Sequence, residues 1–129
     1  MVRILKVLPV ILLAGSMSVC ASSALAAGDA AAGAKLFSKS CAMCHTTAKG
    51  GASVMGPNLF GVAGHKAGGV TGFAYSPAMK GSGLTWDQAT LAKFFMTPAT
   101  VVPGTKMIFA PIKSQDDADS VAAYLATLK

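Results

Sequence analysis

Residues 41–45 read Cys-Ala-Met-Cys-His, and Cys41 and Cys44 are the only cysteines after Cys20. Two soft sulfur ligands stand three positions apart, and an imidazole follows at once. Whatever this cluster holds must lie against one short stretch of backbone, so the fold has to be built around it. The surrounding chain agrees. From Lys49 to Gly72 it carries Gly50, Gly51, Gly56, Pro57, Gly61, Gly64, Gly68, Gly69 and Gly72, which leaves no helix or strand of ordinary length. A loop that long in a small domain is usually functional or wrapped on something.

Besides a plain disulfide, four chemistries use a C-x-x-C pair. A zinc site needs about four ligands. Besides Cys41, Cys44 and His45 only His65 and a few acids remain, and His45 is too close to Cys44 for a tetrahedral clip. Thiol–disulfide exchange places the pair after a strand and at the start of a helix, where the first thiol is acidified; here the pair closes a helix. An iron–sulfur cluster commonly takes four cysteines. A plain disulfide would close too short a loop to constrain the unfolded chain much. The fourth chemistry is covalent attachment of a c-type haem, for which C-x-x-C-H is the signature. Each thiol adds to one vinyl group, and the adjacent His45 comes under the ring to give iron a nitrogen ligand.

The N-terminus reads as an export signal. Arg3 and Lys6 are followed by an apolar run from Val7 to Ala14, then by small residues ending in Ala24-Leu25-Ala26. The run falls short of the roughly 20 residues that span a bilayer. We expect residues 1–26 to be a signal peptide and residues 27–129 to be one domain without a membrane span, a monomer in the periplasm or an equivalent exported compartment. A chain of roughly 100 residues buries about 60–65% of its unfolded surface, so a large cofactor would matter to its stability. The signal takes two positive charges from the formal +6 and leaves nine lysines, five acids and no arginine. The absence of arginine and of any basic run speaks against nucleic acid as a partner.

The hydrophobic pattern predicts an all-α chain. Asp29 can cap a helix over 30–40, with Gly33, Leu36 and Phe37 on one face. Gly33 is costly in a helix unless something packs closely on it, and Tyr124 is the expected cover where the end helices cross. Ser76-Pro77 can start one short turn, ended by Gly81 or Gly83. Thr85-Trp86-Asp87-Gln88 reads as a capping box opening a helix that Pro98 ends after Thr97. A loop then leads to Ser114-Gln115-Asp116-Asp117 and a last helix with the stripe Val121, Tyr124, Leu125, Leu128.

The second axial ligand of the iron decides the chemistry. An open position suits oxygen or peroxide, whereas methionine suits electron transfer and raises the reduction potential. Met43 lies between the two cysteines, too close to reach the far face, and Met96 lies in an apolar helix stripe, where methionine is usually core filler. Met55 and Met79 sit in or near loops and stay open on spacing. Met107, behind Val102-Pro103-Gly104-Thr105-Lys106, leads.

Six stretches in order over nearly the whole of residues 27–129 resemble class I cytochromes c, on the branch of mitochondrial-type cytochrome c and bacterial cytochrome c2. They are C-A-M-C-H (41–45), G-P-N-L-F-G (56–61), G-F-A-Y (72–75), L-T-W (84–86), P-G-T-K-M-I-F-A (103–110) and A-A-Y-L (122–125). The resemblance implies one haem c on Cys41 and Cys44, with His45 and Met107 on the iron. It implies that the Pro57 carbonyl receives the free N–H of His45. Tyr75, Trp86 and Thr105 would be donors to the haem propionates, since a buried carboxylate needs hydrogen bonds. It implies an electron carrier of a respiratory or photosynthetic chain and no enzyme, with a cytochrome reductase-type donor and an oxidase or reaction-centre-type acceptor. A small haem peroxidase or ligand sensor with a labile methionine is the rival reading.

The chain also departs from the family. His65 stands where an arginine is frequent near the inner propionate; since histidine titrates near neutral pH, it is expected to make the potential depend on pH. Phe94 replaces a usual tyrosine and Met79 a common buried asparagine, which predicts a drier pocket around Met107. Ser40, Ala52, Val54, Ala99 and Thr100 occupy places that are often basic, while Lys106 and Lys113 remain. The docking face is therefore expected to be more apolar than usual. With little but haem for the glycine-rich loop to pack on, the haem-free chain is expected to be largely unfolded.

Overall fold

In the computed structural model, residues 28–129 are described; the expected signal peptide and its cleavage site lie outside them. Asp29 caps the first helix, α1 (Ala30–Ser40), its carboxylate accepting from Ala31 N at 2.9 Å and Ala32 N at 3.3 Å. Pro77 at the first helical position pre-sets the turn of α2 (Pro77–Lys80), and the Ser76 hydroxyl accepts from Met79 N at 3.1 Å. α3 (Gln88–Met96) follows, then α4 (Pro98–Val101), and the chain ends on α5 (Gln115–Ala126), capped by Ser114 accepting from Asp117 N at 3.3 Å.

Two element expectations change. The α3 cap is Asp87, accepting from Thr90 N at 2.7 Å, rather than Thr85. Thr85 is held in an antiparallel bridge with Lys66, and Trp86 N and O are bonded to His65 O and Gly64 N, each at 2.8 Å. The backbone cannot turn helical until those groups are released, at Asp87. Thr100, Val101 and the Pro98 ring form the short α4 where a loop was expected: Pro98 stops α3 and starts the next turn, because a residue without an N–H fits the first helical position. That isolated bridge is the only strand-like pairing among the described residues, and the fold is all-α.

The core sits where α1, α3 and α5 meet. Phe37, Leu91, Phe94, Phe95, Val121 and Leu125 are buried there with Val102, each large side chain contributing about 1.5–3 kcal/mol. α1 and α5 make the most extensive packing, and Gly33 makes it possible. A Cβ there would run into the Ser120 carbonyl and lie 3.0 Å from Tyr124 Cβ. The cover is thus mainly the α5 backbone at Ser120 rather than the expected Tyr124, whose Cβ lies beside it while its ring packs 5.4 Å from that of Phe37. Asp29 N also donates to Ser120 Oγ at 3.0 Å. The long loop closes on this frame through Gly61 N, which donates to Leu128 O at 2.8 Å.

Candidate functional site

α1 delivers the cysteine–histidine stretch at its C-terminal end. The Phe37 carbonyl accepts from Cys41 N at 2.8 Å and Ala42 N at 3.0 Å, and the Cys41 carbonyl accepts from Cys44 N and His45 N, both at 3.0 Å. These bonds wind residues 41–45 into consecutive turns and keep both sulfurs and the imidazole on one coil. Cys41 and Cys44 are half-buried, and His45 is only 7% exposed. Burial, and after it the nearby Cys44, push the Cys41 thiol above its ordinary value. A thiol-exchange nucleophile needs the opposite shift.

His45 Nδ1 lies 2.8 Å from the Pro57 carbonyl oxygen. A carbonyl only accepts, so Nδ1 carries a proton, and the neutral ring in this tautomer has its lone pair on Nε2. Gly56 presses on the ring: a Cβ there would lie 2.6 Å from Nδ1 and 2.9 Å from Nε2. Gly56 N donates to Cys44 O at 2.7 Å. The loop is therefore stitched to the coil that carries the histidine, and the imidazole is pinned between them.

The other expected site residues fall into separate groups. Met107 is half-buried and packs on the core, its N–H donating to Thr105 Oγ1 at 3.3 Å. Met43 and Met55 are 82% and 78% exposed, which leaves neither facing a buried ligand position, while Met79 and Met96 pack on the core. Trp86 is buried, and its ring starts an aromatic row through Phe94 at 5.2 Å to Phe109 at a further 6.1 Å. Phe94 thus has aromatic rings on several sides. Tyr75 accepts Val70 N–H at 3.2 Å, and burial, opposed by that bond, raises its phenol above the ordinary value. The phenol keeps its proton and can donate it. His65 is joined to Trp86 through its backbone; its ring is exposed and makes no hydrogen bond among the described residues.

Asn58 went unnoticed in the sequence reading. It is buried, and its side chain ties residues 46–60 together. Its position in a glycine-rich loop was the available signal, because asparagine side chains bond to nearby backbone.

The donor set fits a c-type haem. Two thiols stand beside an imidazole whose Nδ1 is spent and whose Nε2 is available, and a half-buried thioether and several hydroxyl or N–H donors lie on other segments. No cluster of histidine, cysteine and acid able to hold a bare metal ion occurs among the described residues.

Comparison with known proteins points the same way. A family model described as cytochrome c matches residues 30–129. The chain is 47% identical over 117 residues to cytochrome c2 of Rhodomicrobium vannielii, covering 91% of this chain and 93% of that protein. It is 50% identical over 103 residues to cytochrome c2 of Rhodoblastus acidophilus, covering 80% and 95%. Among solved structures, cytochrome cH from Methylobacterium extorquens superposes with a TM-score of 0.71 at 50% identity, covering 78% of this chain and 99% of that one.

Proposed function

The chain belongs to the cytochrome c family, and from that membership we propose that it is a soluble exported electron carrier whose His45 and Met107 hold the iron of its haem. The family carries one covalently attached haem c, and Cys41 and Cys44 stand at the spacing its attachment requires. Electron transfer rather than catalysis is the work of this family.

Haem supplies a one-electron ferric–ferrous couple. The protein's own groups do the rest. The Pro57 carbonyl accepts a hydrogen bond from Nδ1–H and fixes the imidazole plane, so His45 presents Nε2 as a strong, oriented donor. Met107 would offer its thioether sulfur to the iron from its own loop, and a thioether ligand favours the ferrous state. Tyr75, Trp86 and Thr105 would donate to the haem propionates, with His65 beside them. Phe94 and Phe109 pack their rings 6.1 Å apart and Met107 packs on the same core, so the iron's surroundings on that side would be apolar. The observation that carries this reading is the 2.8 Å bond from buried His45 to Pro57, which fixes the ring in the orientation a ligand histidine requires.

An absorption spectrum and a mass on exported protein test it. The expected result is an intense Soret band, a mass increased by one haem, and a weak near-infrared band from methionine on iron. Met107→Ala should keep the added mass, lose the near-infrared band, bind cyanide quickly and lower the midpoint potential by on the order of 100 mV, 59 mV being tenfold for one electron. A colourless protein at the mass of the bare chain ends the proposal.

The partners are a cytochrome reductase-type donor and an oxidase or reaction-centre-type acceptor, met through a face poor in charge. Ser40, Ala52, Val54, Ala99 and Thr100 are all exposed, as are Met55 and Ile108, the latter 95%. Long-range steering raises association rates and fades with salt. Its weakness here predicts less than about a tenfold fall in the rate of reduction between low salt and roughly 0.2 M, measured by stopped flow with a reductase partner.

A further inference from the structure

The carbonyl that grips His45 belongs to the peptide bond between Pro57 and Asn58. That unit is planar, with its C=O and N–H on opposite sides. Its C=O receives His45 Nδ1–H at 2.8 Å, and its N–H, that of Asn58, donates to Ser53 Oγ at 3.0 Å. The plane is held at both ends, so whatever fixes residue 58 also aims the carbonyl.

Asn58 is fixed unusually well. It is 8% exposed. Its two Nδ2 protons are shared among Thr46 Oγ1 and Ala48 O, both at 2.9 Å, and Gly51 O at 3.0 Å. Its Oδ1 accepts from Phe60 N at 2.8 Å. Thr46 is in turn held by its hydroxyl donating to Ala52 O at 2.6 Å. One amide thus satisfies the inward-facing groups of a loop that has no secondary structure of its own, immediately beside the histidine's partner.

We propose that Asn58 is a positioning residue which, through the rigid Pro57–Asn58 peptide, sets the strength of the His45–Pro57 hydrogen bond and thereby the reduction potential. The assignment rests on the haem reading above. A histidine whose Nδ1–H is hydrogen-bonded to a well-aimed carbonyl is a better electron donor to iron and favours the ferric state. Loosening the carbonyl weakens that donation and favours ferrous.

The test uses the haem-loaded protein and Asn58→Ala, with Ser53→Ala as a milder variant and Ser53→Thr as the conservative rescue. The expected result for Asn58→Ala is a three- to tenfold shift of the redox equilibrium toward the reduced form, tenfold corresponding to about 59 mV. It should come with solvent exchange of the His45 Nδ1 proton faster by about tenfold, followed by NMR. Ser53→Ala should move both readings the same way by less, and Ser53→Thr should restore the parent values. If Asn58→Ala does not fold, the Ser53 pair decides alone. A loss of stability with potential and proton exchange unchanged makes Asn58 a loop staple and overturns the proposal. So does a lower potential, which would report water entry rather than a weaker ligand. A parent protein without covalent haem defeats the underlying reading, and a coloured parent with unmoved variants defeats only this one.

Discussion

Gly56→Ala is expected to yield a chain in which His45 no longer serves as an iron ligand. The added methyl would lie 2.6 Å from Nδ1 and 2.9 Å from Nε2 of the imidazole, well inside ordinary carbon–nitrogen contact. Gly56 needs no left-handed backbone, since its φ is not positive, so the whole cost falls on the contact. Neither side can yield cheaply. Gly56 N is bonded to Cys44 O at 2.7 Å, and the ring is bonded to the next residue's carbonyl at 2.8 Å. Displacing a partner that orients a metal-bound histidine typically costs 10–100-fold in affinity. The low-spin, histidine-ligated share of exported protein, read from its absorption spectrum, should therefore fall by about tenfold or more. A normal spectrum at normal yield would show that the loop can retreat from the ring.

Gly33→Ala should be the largest purely structural effect. Intrinsic helix propensity alone would make this change favourable by about 1 kcal/mol. The new Cβ, however, would run into the Ser120 carbonyl, which belongs to a helix backbone and has no rotamer to escape into. Overpacking of this kind costs about 1–3 kcal/mol and occasionally more. Here α1 and α5 must separate along the most extensive packing in the fold, so we expect about 3 kcal/mol net, from denaturant midpoints. Gly50→Ala provides the contrast. Gly50 has φ +70 and nothing within 4 Å of its would-be Cβ, so it should lose only the left-handed backbone cost of about 1 kcal/mol.

These two glycines show what could be read without coordinates. The caps at Asp29, Ser76 and Ser114 were legible because a side chain three or fewer residues from its partner leaves a local signature. The coupling of Cys41, Cys44 and His45 was legible for the same reason. Gly33 could be flagged as needing a close neighbour, but that the neighbour is chiefly the Ser120 backbone depends on a contact from the other end of the chain. The start of α3 was misplaced because Thr85 and Trp86 are drawn into pairing with residues 64–66, a tertiary demand that outweighs the local capping pattern. Asn58 was overlooked since its importance lies in the number of partners it gathers from residues 46–60, which no spacing rule counts.

The bonds that frame the histidine reach only 10 to 12 residues along the chain, from Ala48 to Asn58 and from His45 to Pro57, whereas Asp29 meets Ser120 across 91. Short closures cost less entropy than long ones. Ordering the clasp around His45 therefore takes less chain entropy than the crossing of the end helices, which needs both ends of the polypeptide in place.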